Sequence, residues 1–195
     1  EKVTAFISTL FEMARNNNVT RENFYLAALR SYQESHGNYF DDIEAEAKKF
    51  ARRYQLNLEG KLVSTELEEI LTEEFGYTVD YAQLGQEDYP EEIRSLFIPG
   101  EKSLLIAGNV SETQRVFILA KELGYAHMKI EQRPLTFTWI KFESFEDVLN
   151  NFRASYFAGA LILPETRLVK DMKAFFGRKK WNSKAFLDIM VGYTD

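Results

Sequence analysis

The chain has 195 residues, 45% hydrophobic and 14% aromatic, with sixteen Phe and ten Tyr, enough apolar surface for a sizeable core and too much for a disordered chain. A formal charge of −6 speaks against bulk nucleic-acid binding, since phosphate affinity rests on clustered cations. The absence of cysteine excludes disulfides, thiolate nucleophiles and Cys-ligated metal sites and suits the cytoplasm, and no apolar run approaches the roughly 18 residues of a membrane span.

In chain order, residues 1 to 15 carry Val3, Phe6, Ile7, Leu10, Phe11 and Met13, an amphipathic helical pattern. Asn16-Asn17-Asn18 breaks it, and Thr20 is an N-cap candidate for a helix through about Gln33. After His36-Gly37-Asn38 a further helix is expected from about Tyr39 to Tyr54, with Ile43, Ala47, Phe50 and Ala51 on one face. The turn Asn57-Leu58-Glu59-Gly60 is the expected boundary. It would divide a helical linker or dimerisation segment, residues 1–57, from a domain of residues 58–195.

Thr65-Glu66-Leu67-Glu68 has capping-box spacing and opens a helix that Gly76 closes. Tyr77 to Leu84 then alternates like a strand, and two short strands follow at Glu92–Pro99 and Lys102–Gly108 around the turn dipeptide Pro99-Gly100. Thr113 to Ile130 is a buried helix, and Leu135 to Phe142 is a fourth β-prone run, an edge strand or extended arm. Ser144-Phe145-Glu146-Asp147 caps a long helix ended by Pro164. Small Ala154, Ser155 and Ala158 on one side would let a second helix approach closely. Amphipathic segments near Leu168–Phe176 and Ser183–Tyr193 close an α+β chain with a small, mainly antiparallel sheet and several helices. An opening at Glu1-Lys2-Val3 and an ending inside a helical pattern are expected of a piece of a longer polypeptide.

Chemistry concentrates on the buried helix. Lys121, Tyr125 and Lys129 recur at i, i+4 and i+8, one row on a helix. A zinc-protease helix reads H-E-x-x-H, two imidazoles gripping the metal and a glutamate activating water. Here the five positions are Lys121-Glu122-Leu123-Gly124-Tyr125, with the glutamate kept and both imidazoles replaced. Lys121, Glu122 and Tyr125 are therefore read either as a pocket or as an internal Lys–Glu pair beside a packed tyrosine, with Glu122 or Glu143 as the partner that an inward lysine needs. His127 is expected as a partly exposed helix residue. Between Glu165 and Lys184 seven basic residues face two acidic ones. Arg178, Lys179, Lys180 and Trp181 could grip the phosphates of a CoA-like ligand, approach a DNA backbone, or be a solvated basic turn. No glycine-rich phosphate loop is present.

Two motifs together resemble a known family. Arg115-Val-Phe-Ile-Leu-Ala-Lys121-Glu122-Leu-Gly-Tyr125 is similar to the R-x-x-x-A-H-E-L-G-H helix of ImmA/IrrE-type zinc-peptidase-like domains. Ala154-Ser-Tyr-Phe157-Ala158-Gly-Ala-Leu161-Ile-Leu-Pro164 is similar to their helix ending F-A-x-x-L-L-x-P. The resemblance implies a zincin-like fold over roughly residues 60–195. It also implies a third zinc ligand, a glutamate, at Asn151 (or at Arg153 if the register slips by two), so that all three ligand positions are changed and no catalytic residue, metal or cofactor is expected. The closer resemblance is to a zinc-site-less branch in Xre-type helix-turn-helix regulators, described as short-chain fatty-acyl regulators. What it implies is a non-enzymatic regulatory domain in the cytoplasm, a homodimer, DNA read by a helix-turn-helix outside this chain, and a short-chain acyl metabolite or acyl-CoA as ligand. A working peptidase with an atypical metal site and a purely structural oligomerisation domain stand as the alternatives.

Overall fold

A computed structural model describes residue 9 and residues 20–84, 93–134 and 144–194. The helical pattern of residues 1–15 and the β-prone run Leu135–Phe142 lie outside the described residues, Thr9 apart.

Helix α1 spans Arg21–Ser35, with the Thr20 side chain accepting from the Asn23 amide at 3.2 Å. It buries no residue fully. Helix α2, Asp41–Arg53, places acids in its first turn and Arg52 and Arg53 in its last, the arrangement that complements the helix dipole. Its apolar face (Ile43, Ala47, Phe50 and Ala51) enters the same core as the residues beyond 58. On the linker side of the expected boundary, α2 thus packs into the body of the domain.

Helix α3 spans Ser64–Phe75 and ends on Gly76 at φ 68°, where glycine avoids the left-handed penalty. Its beginning differs from the expectation. The Thr65–Glu68 capping box is not what caps it, since no side chain caps Val63 at the N-cap position. Instead the Ser64 amide and hydroxyl donate to the carboxylate of Glu112, 48 residues away, at 2.8 and 2.9 Å. A carboxylate at a helix start satisfies orphan amides as a local cap would.

Three strands follow: β1 (Thr78–Asp80), β2 (Ser95–Ile98) and β3 (Ser103–Ile106), in the order β1-β3-β2. The β2/β3 pair is antiparallel, as expected, whereas β1 joins β3 in parallel, so the sheet is mixed. Strand β1 is shorter than its alternating pattern, because the Asp80 carboxylate accepts from the Ala82 and Gln83 amides and turns the chain. The Pro99–Glu101 stretch makes the turn between β2 and β3, and every residue of β3 is buried.

Helix α4, Glu112–His127, opens with a capping box between Ser111 and Gln114. Helix α5, Phe145–Ile162, opens with the expected box between Ser144 and Asp147. The two cross closely where Gly124 meets α5: a Cβ on Gly124 would lie 3.0 Å from Phe157 Cδ1 and 3.2 Å from the Ala154 carbonyl oxygen. Small residues on α5 therefore do admit a neighbour, and that neighbour is α4. Leu119, Ala120, Leu123, Ala154, Phe157 and Ala158 are wholly buried around this crossing. Helices α6 (Glu165–Phe176) and α7 (Ser183–Thr194) complete seven helices and three strands among the described residues. No described helix is long and apolar enough to cross a membrane.

Candidate functional site

The α4/α5 crossing brings Lys121, Tyr125 and Asn151 together. The Lys121 ammonium donates to Asn151 Oδ1 at 2.7 Å and the Tyr125 hydroxyl to the same oxygen at 3.3 Å. One turn of α4 separates Lys121 from Tyr125, and α5 presents Asn151 between them. Of the two registers considered for the third position, Asn151 is the one that meets the α4 pair. Arg153 instead sits 4.0 Å from Asp42.

Glu122 has a partner that the sequence did not indicate. Its Oε1 lies 2.7 Å from Nη1 of Arg133, with both side chains about one-twentieth exposed. The contact is an ion pair without aligned hydrogen-bond geometry, since neither Glu122 Oε1 nor Arg133 Nε has a hydrogen-bond partner. The guanidinium is sandwiched between the rings of Phe97, at 3.7 Å, and Tyr125, at 4.2 Å. The Tyr77 phenol is close enough to feel the Glu122 charge. Lys121 thus meets Asn151 and also feels the charge of Glu122, Glu122 meets Arg133, and Glu143 lies outside the described residues.

Burial dominates the electrostatics. It pushes the Lys121 ammonium down to about 8, with the Glu122 charge pulling it back up and the Arg133 charge adding to the fall. It pushes the Tyr77 phenol up to about 12, helped by the Glu122 charge, and raises Tyr125 as well. Around neutral pH Lys121 is thus mostly protonated and the Tyr77 and Tyr125 phenols are neutral.

Arg133 and Tyr77 went unrecognised in the sequence. Arg133 follows the end of α4, outside any helical period, and Gln132 beside it is tied to the start of α5: its amide reaches Asp147 at 3.1 Å and its carbonyl accepts from Asn150 at 2.8 Å. The Ser111-x-x-Gln114 box was legible by spacing.

His127 is largely covered, its side chain 10% exposed. Its Nε2 lies 2.9 Å from Glu46 Oε2 on α2, and its ring packs against Phe50 and Phe157. Arg178, Lys179 and Lys180 are exposed in the turn between α6 and α7. Trp181 donates to Ser183 Oγ at 2.9 Å and packs against Phe175 and Phe186. Two larger cavities lie elsewhere: about 370 Å3 beside α2, where Lys48 and Glu165 pair, and about 330 Å3 between α4, α5 and α7.

Residues 72–180, from the end of α3 to the basic turn, match the IrrE N-terminal-like domain. The chain belongs to this family. The match takes in the sheet, the α4/α5 crossing and the whole Lys121–Asn151–Arg133 cluster, and leaves α2 and α7 outside. Among solved structures, the IrrE-like chain is similar to a Mycobacterium tuberculosis transcriptional regulator at 21% identity and a TM-score of 0.56. That likeness covers 72% of this chain and 41% of the regulator, so the chain spans less than half of that protein's length. No curated protein matches it.

Proposed function

We propose that this chain is a regulatory, non-catalytic IrrE-like domain of a bacterial transcription regulator, in which the metal site of the peptidase relatives has become a closed polar cluster. The observation that carries this reading is the meeting of Lys121, Tyr125 and Asn151 on a single amide oxygen. The resemblance to the family's H-E-x-x-H helix and its third glutamate implies that these are the ligand positions.

The donors present do not fit zinc. A mostly protonated ammonium repels a dication, a phenol with a raised pKa is a poor ligand at neutral pH, and an amide oxygen carries no charge to offset the metal. Glu122, the remaining member of the catalytic pattern, is buried and paired with Arg133. A carboxylate so engaged is not free to take a proton from water.

On this reading DNA is contacted through a helix-turn-helix outside the 195 residues, the setting is cytoplasmic and the protein is a homodimer. A short-chain acyl metabolite or acyl-CoA shifts the domain between states that differ in affinity for it. Metal analysis of the purified chain, with a peptide-cleavage assay, tests the non-catalytic part. Less than a tenth of an equivalent of zinc and no cleavage are expected, on the order-of-magnitude criterion that a structural or catalytic site binds near stoichiometrically. Stoichiometric zinc that disappears in Glu122→Gln would sink the reading. A thermal-shift screen with acyl-CoAs and short fatty acids tests the sensing part, where no stabilisation by any of them favours a purely structural domain.

A further inference from the structure

Helices α4, α5 and α7 leave between them a cavity of about 330 Å3, set apart from the polar cluster. Its walls are Phe117 and Ile118 from α4, and Gly159, Ile162 and Leu163 from the end of α5. Tyr193 of α7 closes one side, fixed by a 2.7 Å hydrogen bond to Asp171 and by the Arg167 guanidinium stacked over its ring at 4.5 Å. Arg94, just ahead of β2, is the one charged residue among the described residues that line the space. Its side chain has no hydrogen bond, ion pair or ring contact among the described residues.

Two features single this cavity out. Gly159 sits inside a helix, where glycine is unfavourable relative to alanine. A Cβ built there meets nothing within 4 Å, so no close packing requires the glycine. Among the described residues the lining is also apolar apart from Arg94 and the short polar chains Thr113 and Gln114 at its edge. An apolar wall with one convergent charge is the general form of a pocket for a small amphipathic ligand.

We infer that this cavity binds a small monoanion with one apolar chain, a free carboxylic acid, its tail against Phe117, Gly159 and Ile162 and its carboxylate on Arg94. The inference rests on the ligand-sensing part of the proposed function, names the site, and puts a medium-chain free acid in place of the short-chain acyl group or acyl-CoA given there. Volume decides between a free acid and a CoA thioester. At about 30 Å3 for a water-sized group, the space holds roughly eleven such groups, the size of an eight- to ten-carbon acid. The nucleotide of a CoA thioester would have to lie outside it. Nor does the basic turn extend the site: it lies ahead of Ser183, where α7 begins, and Tyr193 is about 15 Å further along that helix at 1.5 Å per residue. Because α7 forms a wall, a bound chain would draw α7 onto the α4/α5 core, giving occupancy a means of altering the position of that helix.

Calorimetric titration of the 195-residue chain with octanoate, with octylamine as the charge-inverted control, tests the site. Octanoate should bind with a dissociation constant below about 1 mM, and octylamine at least about tenfold more weakly. Arg94→Gln should weaken octanoate about tenfold or more, the loss of one charge-assisted contact. Gly159→Leu should abolish binding by filling the space, while Gly159→Ala reports that the helix itself accepts a side chain. No octanoate binding, equal binding of octylamine, or affinity unchanged in both Arg94→Gln and Gly159→Leu would overturn the inference. Octanoate binding that survives Gly159→Leu but is lost in Lys121→Met would also overturn it, moving the ligand to the polar cluster and leaving the sensing function standing. A result of stoichiometric zinc bears on the non-catalytic reading alone.

Discussion

The two ends of α5 solve opposite packing problems. Near its start, Asn151 meets α4 in a cluster so crowded that Lys121, Glu122 and Arg133 are all taken out of water and held by one another and by aromatic rings. Near its end, Gly159, Ile162 and Leu163 face α4 across open space with Arg94 beside it. The difference shows which part of the fold is closed. Buried charges at the first end are costly to disturb, because removing one partner strands the other in a poor dielectric. Side-chain volume at the second end can be added with little to push against. Substitutions that change charge should act at the first end, and those that change volume should have opposite signs at the two.

Arg133→Met should show the largest effect. It leaves the Glu122 carboxylate buried without its cation and removes the planar group stacked between Phe97 and Tyr125. Stranding a buried charge costs about 3–5 kcal/mol, read as a lower urea midpoint at unchanged slope. The double substitution Arg133→Met with Glu122→Leu should recover much of that loss, since an ion pair and a well-packed apolar pair can be nearly equivalent. Loss undiminished in the double variant would mean that the cost lies in packing against the rings, not in the stranded charge.

Lys121 should reveal itself by pH. Its folded pKa, about 8, is depressed below the ordinary lysine value, so between about pH 8 and 10 the unfolded chain binds the proton that the folded chain has released. Stability then rises with pH, by on the order of 2 kcal/mol across that window for a shift of this size. The gain should appear as a growing difference between wild type and Lys121→Met in urea titrations at pH 7, 8, 9 and 10. Tyrosines with raised folded pKa values, Tyr77 among them at about 12, act the other way: their contribution is present below pH 10 and lost above it. A wild-type-minus-variant difference that stays flat from pH 7 to 10 would place Lys121 in a more solvated setting.

The sequence was informative where a rule acts over one turn of chain and silent where the partner comes from far away. Ser144 and Asp147, three residues apart, announced the start of α5, and Gly76 announced the end of α3. Thr65–Glu68 carried the same kind of signal and was overridden, because Glu112 on α4 reached Ser64 first. The row Lys121, Tyr125 and the position Asn151 were legible, the first two from helical period and the third from the family resemblance. Their actual partners were not: Arg133 is placed by the tie of Gln132 to α5, a contact with no periodicity. The cavity was invisible for another reason. Gly159 reads as one more small residue on an apolar face until α7 is in place and shows that nothing fills the space beside it.

Two glycines give the smallest effects and the sharpest contrast. Both lie inside helices, where replacing glycine by alanine gains about 0.5–1 kcal/mol from backbone entropy alone. At Gly159 nothing opposes that gain, so Gly159→Ala should be stabilising by about that amount. At Gly124 the new Cβ meets Phe157 Cδ1 at 3.0 Å and the Ala154 carbonyl oxygen at 3.2 Å. A ring edge could turn aside, but a carbonyl inside α5 moves only if the two helices separate. Overpacking of a tight core costs about 1–3 kcal/mol, which outweighs the entropic gain, and Gly124→Ala should be destabilising by about 1 kcal/mol net. Paired thermal melts of the two variants check the contrast, with opposite shifts of a few degrees expected. Stabilisation in both would mean that α4 and α5 yield at their crossing, and that the closed end of α5 is looser than its buried charges imply.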